Sequence, residues 1–276
     1  MIVTIEAKAP WWKFDVAEIW AYRHLVMLFA TRTLATMYKQ SVLGPLWFMV
    51  QPFFSAFVFY VVFGLLIRLS TGGMPHMLFY MSGMIFWHLF VNVFQQTSVS
   101  LIGNMHLYGK VYFPRLVMPL SYIVSGGVLF GLNLVALLCF YVFYRQQGLA
   151  IAFQPCVVLV PLLVLQTVCA GLGFGLCIAS ATVRFRDIRY ALPTLIQFWM
   201  FMTPVFYSST RVSPAMRHYM WINPLFAPVE FFRFAISGLN PVPPLAFLPG
   251  ALLTALVLTA GLFWFNSVQR NFIDVV

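Results

Sequence analysis

Charge is what this chain has least of. Six acidic residues stand against 16 lysines and arginines, and charged residues make up only 8% of its 276 positions. A water-soluble domain carries roughly 25%, so an ordinary soluble fold is excluded. Cysteine is scarce as well: Cys139, Cys156, Cys169 and Cys177 fall in or beside apolar stretches, with no close-set pair to suggest zinc. They read as small packing residues. No glycine-rich loop closes on Lys-Ser or Lys-Thr, so nothing here would cradle a nucleotide's phosphates. The five histidines (His24, His76, His88, His106 and His218) are scattered, with no HExxH zinc pattern and no serine elbow. Glu6, Lys8, Pro10 and Lys13 occupy the place of a signal sequence's apolar core, and no cleavable signal peptide is expected.

Apolar residues fill the space instead. They form 62% of the chain, the mean hydropathy is +0.90, and 18% of residues are aromatic. The apolar runs are long rather than alternating over ten residues, which points to membrane-spanning helices and not to a barrel. Six spans are expected, near Leu46–Leu66, Met77–Val99, Leu116–Tyr144, Pro155–Thr182, Ala191–Tyr207 and Leu245–Phe265. The whole chain, 1–276, reads as a single transmembrane domain. Its parts are an N-terminal segment (1–45), spans one to five (46–207), a proline-broken segment (208–244), and the last span with its tail (245–276).

Residues 14–40 carry Asp15, Glu18, Arg23, Arg32 and Lys39, too many charges for the bilayer centre. Asp15 with Glu18 resembles a capping box, and Trp20, Leu28 and Phe29 stand against Arg23 and Arg32. An amphipathic helix in the membrane interface is expected. Gly44-Pro45 then turns the chain into the first span, with Trp47 at headgroup level. The stretch "NPLFAPVEFFRFAISG" is apolar but too interrupted to cross, and is read as a re-entrant hairpin whose broken backbone must be buried in protein or line a cavity.

Basic residues orient the spans. With the N-terminus inside, eleven lysines and arginines fall in inner segments and five in outer ones. The positive-inside rule therefore favours both termini in the cytoplasm. The net charge of +10 sits in loops between spans, an arrangement that serves topology and not nucleic-acid binding.

Five ordered stretches carry a family likeness: "YKQSVLGPLWFMVQP", "GKVYFPRLVMPL", "VRFRDIRYALPTLIQFWMFMTPVFYS", "INPLFAPVEFFRFAISG" and "RNFIDVV". Together they resemble the membrane subunit of type-2 ABC exporters for polysaccharides, nearest the O-antigen (Wzm-like) and teichoic-acid permeases and related to the capsule permeases. The resemblance implies an all-α type-2 exporter fold and a homodimer docked on two copies of a separate ATPase, which would bind ATP and Mg. No cofactor is implied in this chain. It also implies a polyprenyl-diphosphate-linked glycan as cargo and the bacterial inner membrane as location. The same fold could carry teichoic acid, drugs or small lipids. A different class is a membrane-embedded acyltransferase with His88 as base, which the scarcity of carboxylates disfavours.

With that resemblance, the loop Asn104–Arg115 is the candidate for coupling to the ATPase. Lys110 and Arg115 are available for acidic partners, and Phe113-Pro114 offers an apolar knob and a fixed turn. Arg184, Arg186 and Asp187 form either a second contact or an internal ion pair. Arg23, Arg32 and Lys39 could meet the carrier's diphosphate, or snorkel to ordinary anionic headgroups. Phe53, Phe57, Tyr60, Phe198, Trp199, Phe201 and Tyr207 are candidates for a channel lining, because sugar C–H faces stack on rings. Aromatics equally pack bundles and form interface belts. Glu230 and Arg233, three apart, are a salt bridge or an outer gate.

Overall fold

The computed structural model describes residues 16–39, 41, 44–149 and 151–275. Among them there are helices and no strands. Lys8, Lys13 and Asp15, and with Asp15 the expected cap, lie outside the described residues.

Two helices, α1 (Val16–Ala21) and α2 (Arg23–Tyr38), precede the first long one. Gly44 has φ +53°, a left-handed conformation that glycine adopts without penalty, and Gly44–Leu46 forms a 3-10 turn into α3 (Trp47–Phe59). Beyond Phe59 the helix widens into a π-helical stretch, Tyr60–Leu66. Gly64 lies within it, where a Cβ would come 2.9 Å from the His76 ring. The absent side chain lets this stretch lie against the start of α4 (His76–Ser98). Two short helices, α5 (Ser100–Gly103) and α6 (Met105–Tyr108), lead to α7 (Val117–Gln146). Then come α8 (Val160–Arg184), α9 (Ile188–Met202), α10 (Pro214–Met220), α11 (Phe226–Ser237) and α12 (Phe247–Val275).

Five stretches are helical, long and apolar enough to cross a bilayer: Trp47–Leu66, His76–Ser98, Val117–Gln146, Pro155–Arg184 and Pro244–Gln269. They match five of the expected spans. The sixth, expected over Ala191–Tyr207, is not one helix. The 15 residues of α9 rise only about 22 Å, short of the roughly 30 Å hydrocarbon core. Thr203 to Tyr207 continue as irregular chain.

Burial ranks the helices. In α4, 83% of the apolar window is buried, against 17% in the α3 span, so α4 is the centre and α3 the periphery. Glycines decide how closely α4, α8 and α12 approach. A Cβ on Gly171 would meet the Phe90 carbonyl at 3.0 Å, and one on Gly175 would meet Thr97 Cβ at 2.6 Å. On the other side of α8, a Cβ on Gly173 would lie 2.8 Å from Leu258, and one on Gly261 would lie 2.6 Å from the Gly173 carbonyl and 3.3 Å from Cys177 Sγ. Residue numbers rise together across both contacts, so α4, α8 and α12 run parallel. Such small-residue seams suit helices in lipid, where close van der Waals packing replaces the hydrophobic effect as the driving force. Phe130 of α7 meets Phe86, and Gly126 meets Val93, so α7 runs antiparallel to α4.

These directions define two ends. The loop end carries residues 104–116, the turn at 184–188 and the C-terminal part of α12; the hairpin end carries residues 203–244. From that end the chain dips in and returns. Phe232 of α11 packs on Phe86, ten residues into α4 and so about 15 Å along it, while Asn240 donates back to the Gly72 carbonyl at the rim. The re-entrant path expected for this segment is the one observed.

Candidate functional site

At the loop end, Phe113 is buried. Its ring lies 5.6 Å from Phe29 and 5.4 Å from Tyr108, in a cluster with Val117, Met118 and Tyr122. Phe113 is therefore no knob for a partner; it pegs the loop to α2 and α7. Asn104 is also turned inward, donating to the Ser100 carbonyl and to Tyr122 Oη at 3.0 Å. Arg115 donates to the Gln269 carbonyl on α12 and lies 5.6 Å over the Tyr108 ring. Burial above all, and the neighbouring Tyr122, push the Tyr108 phenol up, which keeps that ring neutral beneath the cation. Tyr112 donates to Glu18 of α1 at 3.4 Å. Pro114 is half-buried. What faces outward is the tip, Lys110, Val111 and Tyr112. Arg184, Arg186 and Asp187 are all exposed, and none makes an ion pair among the described residues. The internal pair considered from sequence is absent, and the three present a charged surface beside Phe185.

Helix α2 buries Phe29 and Ala30 and half-buries Tyr22, Leu25, Val26 and Thr33, the i, i+3, i+4 pattern of one face. The pairing of sides expected from sequence is corrected here. Phe29 points in, while Trp20 and Leu28 are 70% and 60% exposed alongside the arginines. Arg23 bends onto Trp20, donating to its carbonyl at 3.2 Å. Arg32 and Lys39, seven residues apart, share a face by helical spacing; Arg23, nine residues before Arg32, falls about half a turn away. The three cations thus do not converge, and Arg32 with Lys39 is the pair that can.

The aromatic candidates divide. Phe57, Phe198 and Phe201 are exposed in the single chain. Phe53 stacks on Phe140 of α7 at 5.5 Å. Tyr60 packs at 5.7 Å from His76, and Tyr207 folds back to the Phe201 carbonyl. Trp199 is only half-buried. It is held between Phe90 at 5.0 Å and Phe174 at 4.7 Å, and its indole N–H donates to Asn223. The exposed rings share α9 with polar groups, so that Tyr190, Thr194, Gln197, Phe198 and Phe201 form one exposed stripe. Near the hairpin end α3 and α9 meet at Phe206, which lies 5.5 Å from Phe59 of α3 and 5.3 Å from Phe201 of α9, and stacks on Phe63 of the π-helical stretch at 5.2 Å.

The hairpin is locked by a buried pair. Arg233 and Glu230 are joined at 2.8 Å and each is about 5% exposed. The Arg233 guanidinium also donates to the carbonyls of Pro204, Val205 (2.6 Å) and Phe79 (3.1 Å), and to Ser82 Oγ at 3.4 Å. It lies 3.6 Å over the Phe79 ring. Glu230 accepts from Ser209 Oγ at 2.6 Å. Gly83 leaves room for this: a Cβ there would meet Arg233 Nη2 at 2.8 Å. One residue the sequence reading missed is Asn223, at the deepest part of the hairpin. Its Oδ1 accepts from Trp199 Nε1 (3.3 Å) and the Leu225 amide (3.1 Å). Its Nδ2 donates to Thr203 Oγ1 (2.9 Å) and the Met202 carbonyl (3.2 Å). The Asn-Pro pair inside an apolar run was the available signal.

His88 lies inside α4, and its Nε2 has no hydrogen-bond partner among the described residues. No carboxylate orients it, as a catalytic base would require. Of the four cysteines, Cys139 is exposed on α7 and so does not pack as expected; Cys156, Cys169 and Cys177 are partly buried.

A family description, ABC-2 type transporter, matches residues 24–237, from the start of α2 to the end of α11. This chain belongs to the ABC-2 type transporter family. It is 24% identical, over 254 residues, to the O-antigen export system permease protein RfbA of Klebsiella pneumoniae, covering 91% of this chain and 95% of that one. A protein of the same name from Myxococcus xanthus is 27% identical over 267 residues, covering 95% of this chain and 98% of the relative. As an ABC-2 transporter the chain is a membrane-embedded transport subunit, and the matched span takes in the pegged loop, the exposed stripe of α9 and the Glu230–Arg233 lock together.

Proposed function

We propose that this chain is the channel-forming permease of an ATP-driven exporter, carrying a lipid-linked polysaccharide of the O-antigen type out of the cytoplasm across the bacterial inner membrane. The observation that carries this reading is the stripe on α9. Thr194 and Gln197 beside Phe198 and Phe201 do not suit lipid, which offers no hydrogen bonds. They suit a sugar chain, whose C–H faces stack on rings and whose hydroxyls need polar partners. The names of the relatives, both O-antigen permeases, point the same way.

A second copy of the chain, set against α3 and α9, would enclose the stripe. On this reading the basic loop end, and both termini with it, face the cytoplasm. There two ATPase subunits, which bind the ATP and Mg, dock on the tip Lys110–Tyr112 and on Arg184, Arg186 and Asp187. Arg32 and Lys39 receive the carrier's diphosphate at the inner leaflet by charge and hydrogen bonding. On the periplasmic side, the hairpin held by Glu230 and Arg233 is the gate.

Affinity purification of the tagged chain from its own cells tests the assembly. Two copies of the chain with two copies of an ABC ATPase, measured by native mass spectrometry, is the expected result. A chain that purifies with no ATPase contradicts it.

A further inference from the structure

Along α9 the two halves are held very differently. From Arg189 to Phe198 only Leu192 and Ile196 are buried within the chain. From Trp199 onward the chain is fastened: Trp199 and Thr203 to Asn223, the Met202 carbonyl to Asn223, and the Pro204 and Val205 carbonyls to Arg233. Asn223 lies just before α11 and Arg233 within it, so these are two separate fastenings. The hairpin is in turn fixed to the central helices. Gln166 of α8 donates to the Pro224 carbonyl at 3.0 Å, and Arg233 reaches Phe79 and Ser82 of α4. Within the loose half, five residues after the start of α9, is Pro193. It has no amide hydrogen to give the Arg189 carbonyl, and such a gap is a common site of bending.

Resting on the transport reading above, we infer that Asn223 and Arg233 join the end of α9 and the hairpin into one body that stays joined through the transport cycle, and that α9 bends at Pro193. An ATPase acting on the turn at 184–188 would then swing the inner half of α9 as a lever. Breaking the far fastening instead would leave a buried guanidinium short of acceptors, a costly step. Gate opening therefore moves the hairpin as a unit and does not part it from α9.

The test uses cells that depend on this chain for surface glycan, with the four native cysteines replaced. Met202→Cys with Ile222→Cys, exposed neighbours of Thr203 and Asn223 that leave both side chains in place, is joined by a short, reducible bis-thiosulfonate cross-linker, and export is compared before and after reductant in the same cells. No loss of export on cross-linking is expected; loss that reductant reverses overturns the inference. In the same background Pro193→Ala, whose N–H restores a hydrogen bond to the Arg189 carbonyl, is expected to slow export while the cross-link forms with unchanged yield. Export at the unmodified rate would overturn the pivot. The unmodified chain serves as control: if it supports no glycan export, the transport reading itself fails.

Discussion

Arg233 gathers more acceptors than any other side chain described, and its loss is the sharpest single-residue test of the hairpin. A buried ion pair broken on one side leaves a charge without compensation, which costs about 3–5 kcal/mol. Glu230→Gln and Arg233→Met should each lower thermal stability in detergent by an amount of that order. Arg233→Lys should not restore it, because an ammonium cannot serve four carbonyl and carboxylate acceptors from one plane. Gly175 tests the packing seam in the same way. A methyl there has 2.6 Å to Thr97 Cβ, and Gly175→Ala should destabilise by about 1–3 kcal/mol through overpacking. Of these residues, Glu230 and Arg233 stood out from sequence because charges in an apolar run demand an explanation. Asn223 did not, since one amide among prolines signals a turn but not which helix it will fasten.

At the level of elements, the loop 104–116 is fixed by its apolar side and offers its polar side. Phe113→Ala removes the peg between α2 and α7 and should cost about 3 kcal/mol, as other buried phenylalanines do. Lys110→Glu alters only the exposed tip; stability should hold while co-purification of the ATPase falls. Equal loss of stability from both changes would refute the division of roles. On α2, charge reversal at Arg32 or Lys39 should reduce export with unchanged protein level, and reversal at Arg23 should do so less, because it lies about half a turn from Arg32. Equal effects at Arg23 and Arg32, measured as surface glycan, would count against a shared phosphate site. The long helices could be read from sequence because each is a single apolar run bounded by a glycine, a proline or a charge. The α9 boundary was missed although Pro204 marked it: a proline pushes the residue before it off helical backbone, and Thr203 is extended with ψ 137°, while carbonyl bonds to Arg233 and Asn223 help hold the irregular path.

For the whole molecule, three parallel helices close-packed at glycines make a firm centre, α4, α8 and α12, beside which α3 and the inner half of α9 are lightly held. That division is what a permease needs, a fixed frame and a movable wall. Composition alone revealed the membrane class, and ordered motifs revealed the likeness to exporters. Which aromatics face outward was beyond either, because ring burial depends on which helix lies opposite: Trp199 is enclosed by Phe90 and Phe174, while Phe198, one residue earlier, is 65% exposed. The central claim is export of a lipid-linked glycan, and deletion of the gene tests it most directly. Polymer retained on its polyprenyl carrier at the cytoplasmic face, with none at the cell surface, is the predicted result. Normal surface glycan in the deletion strain would contradict it.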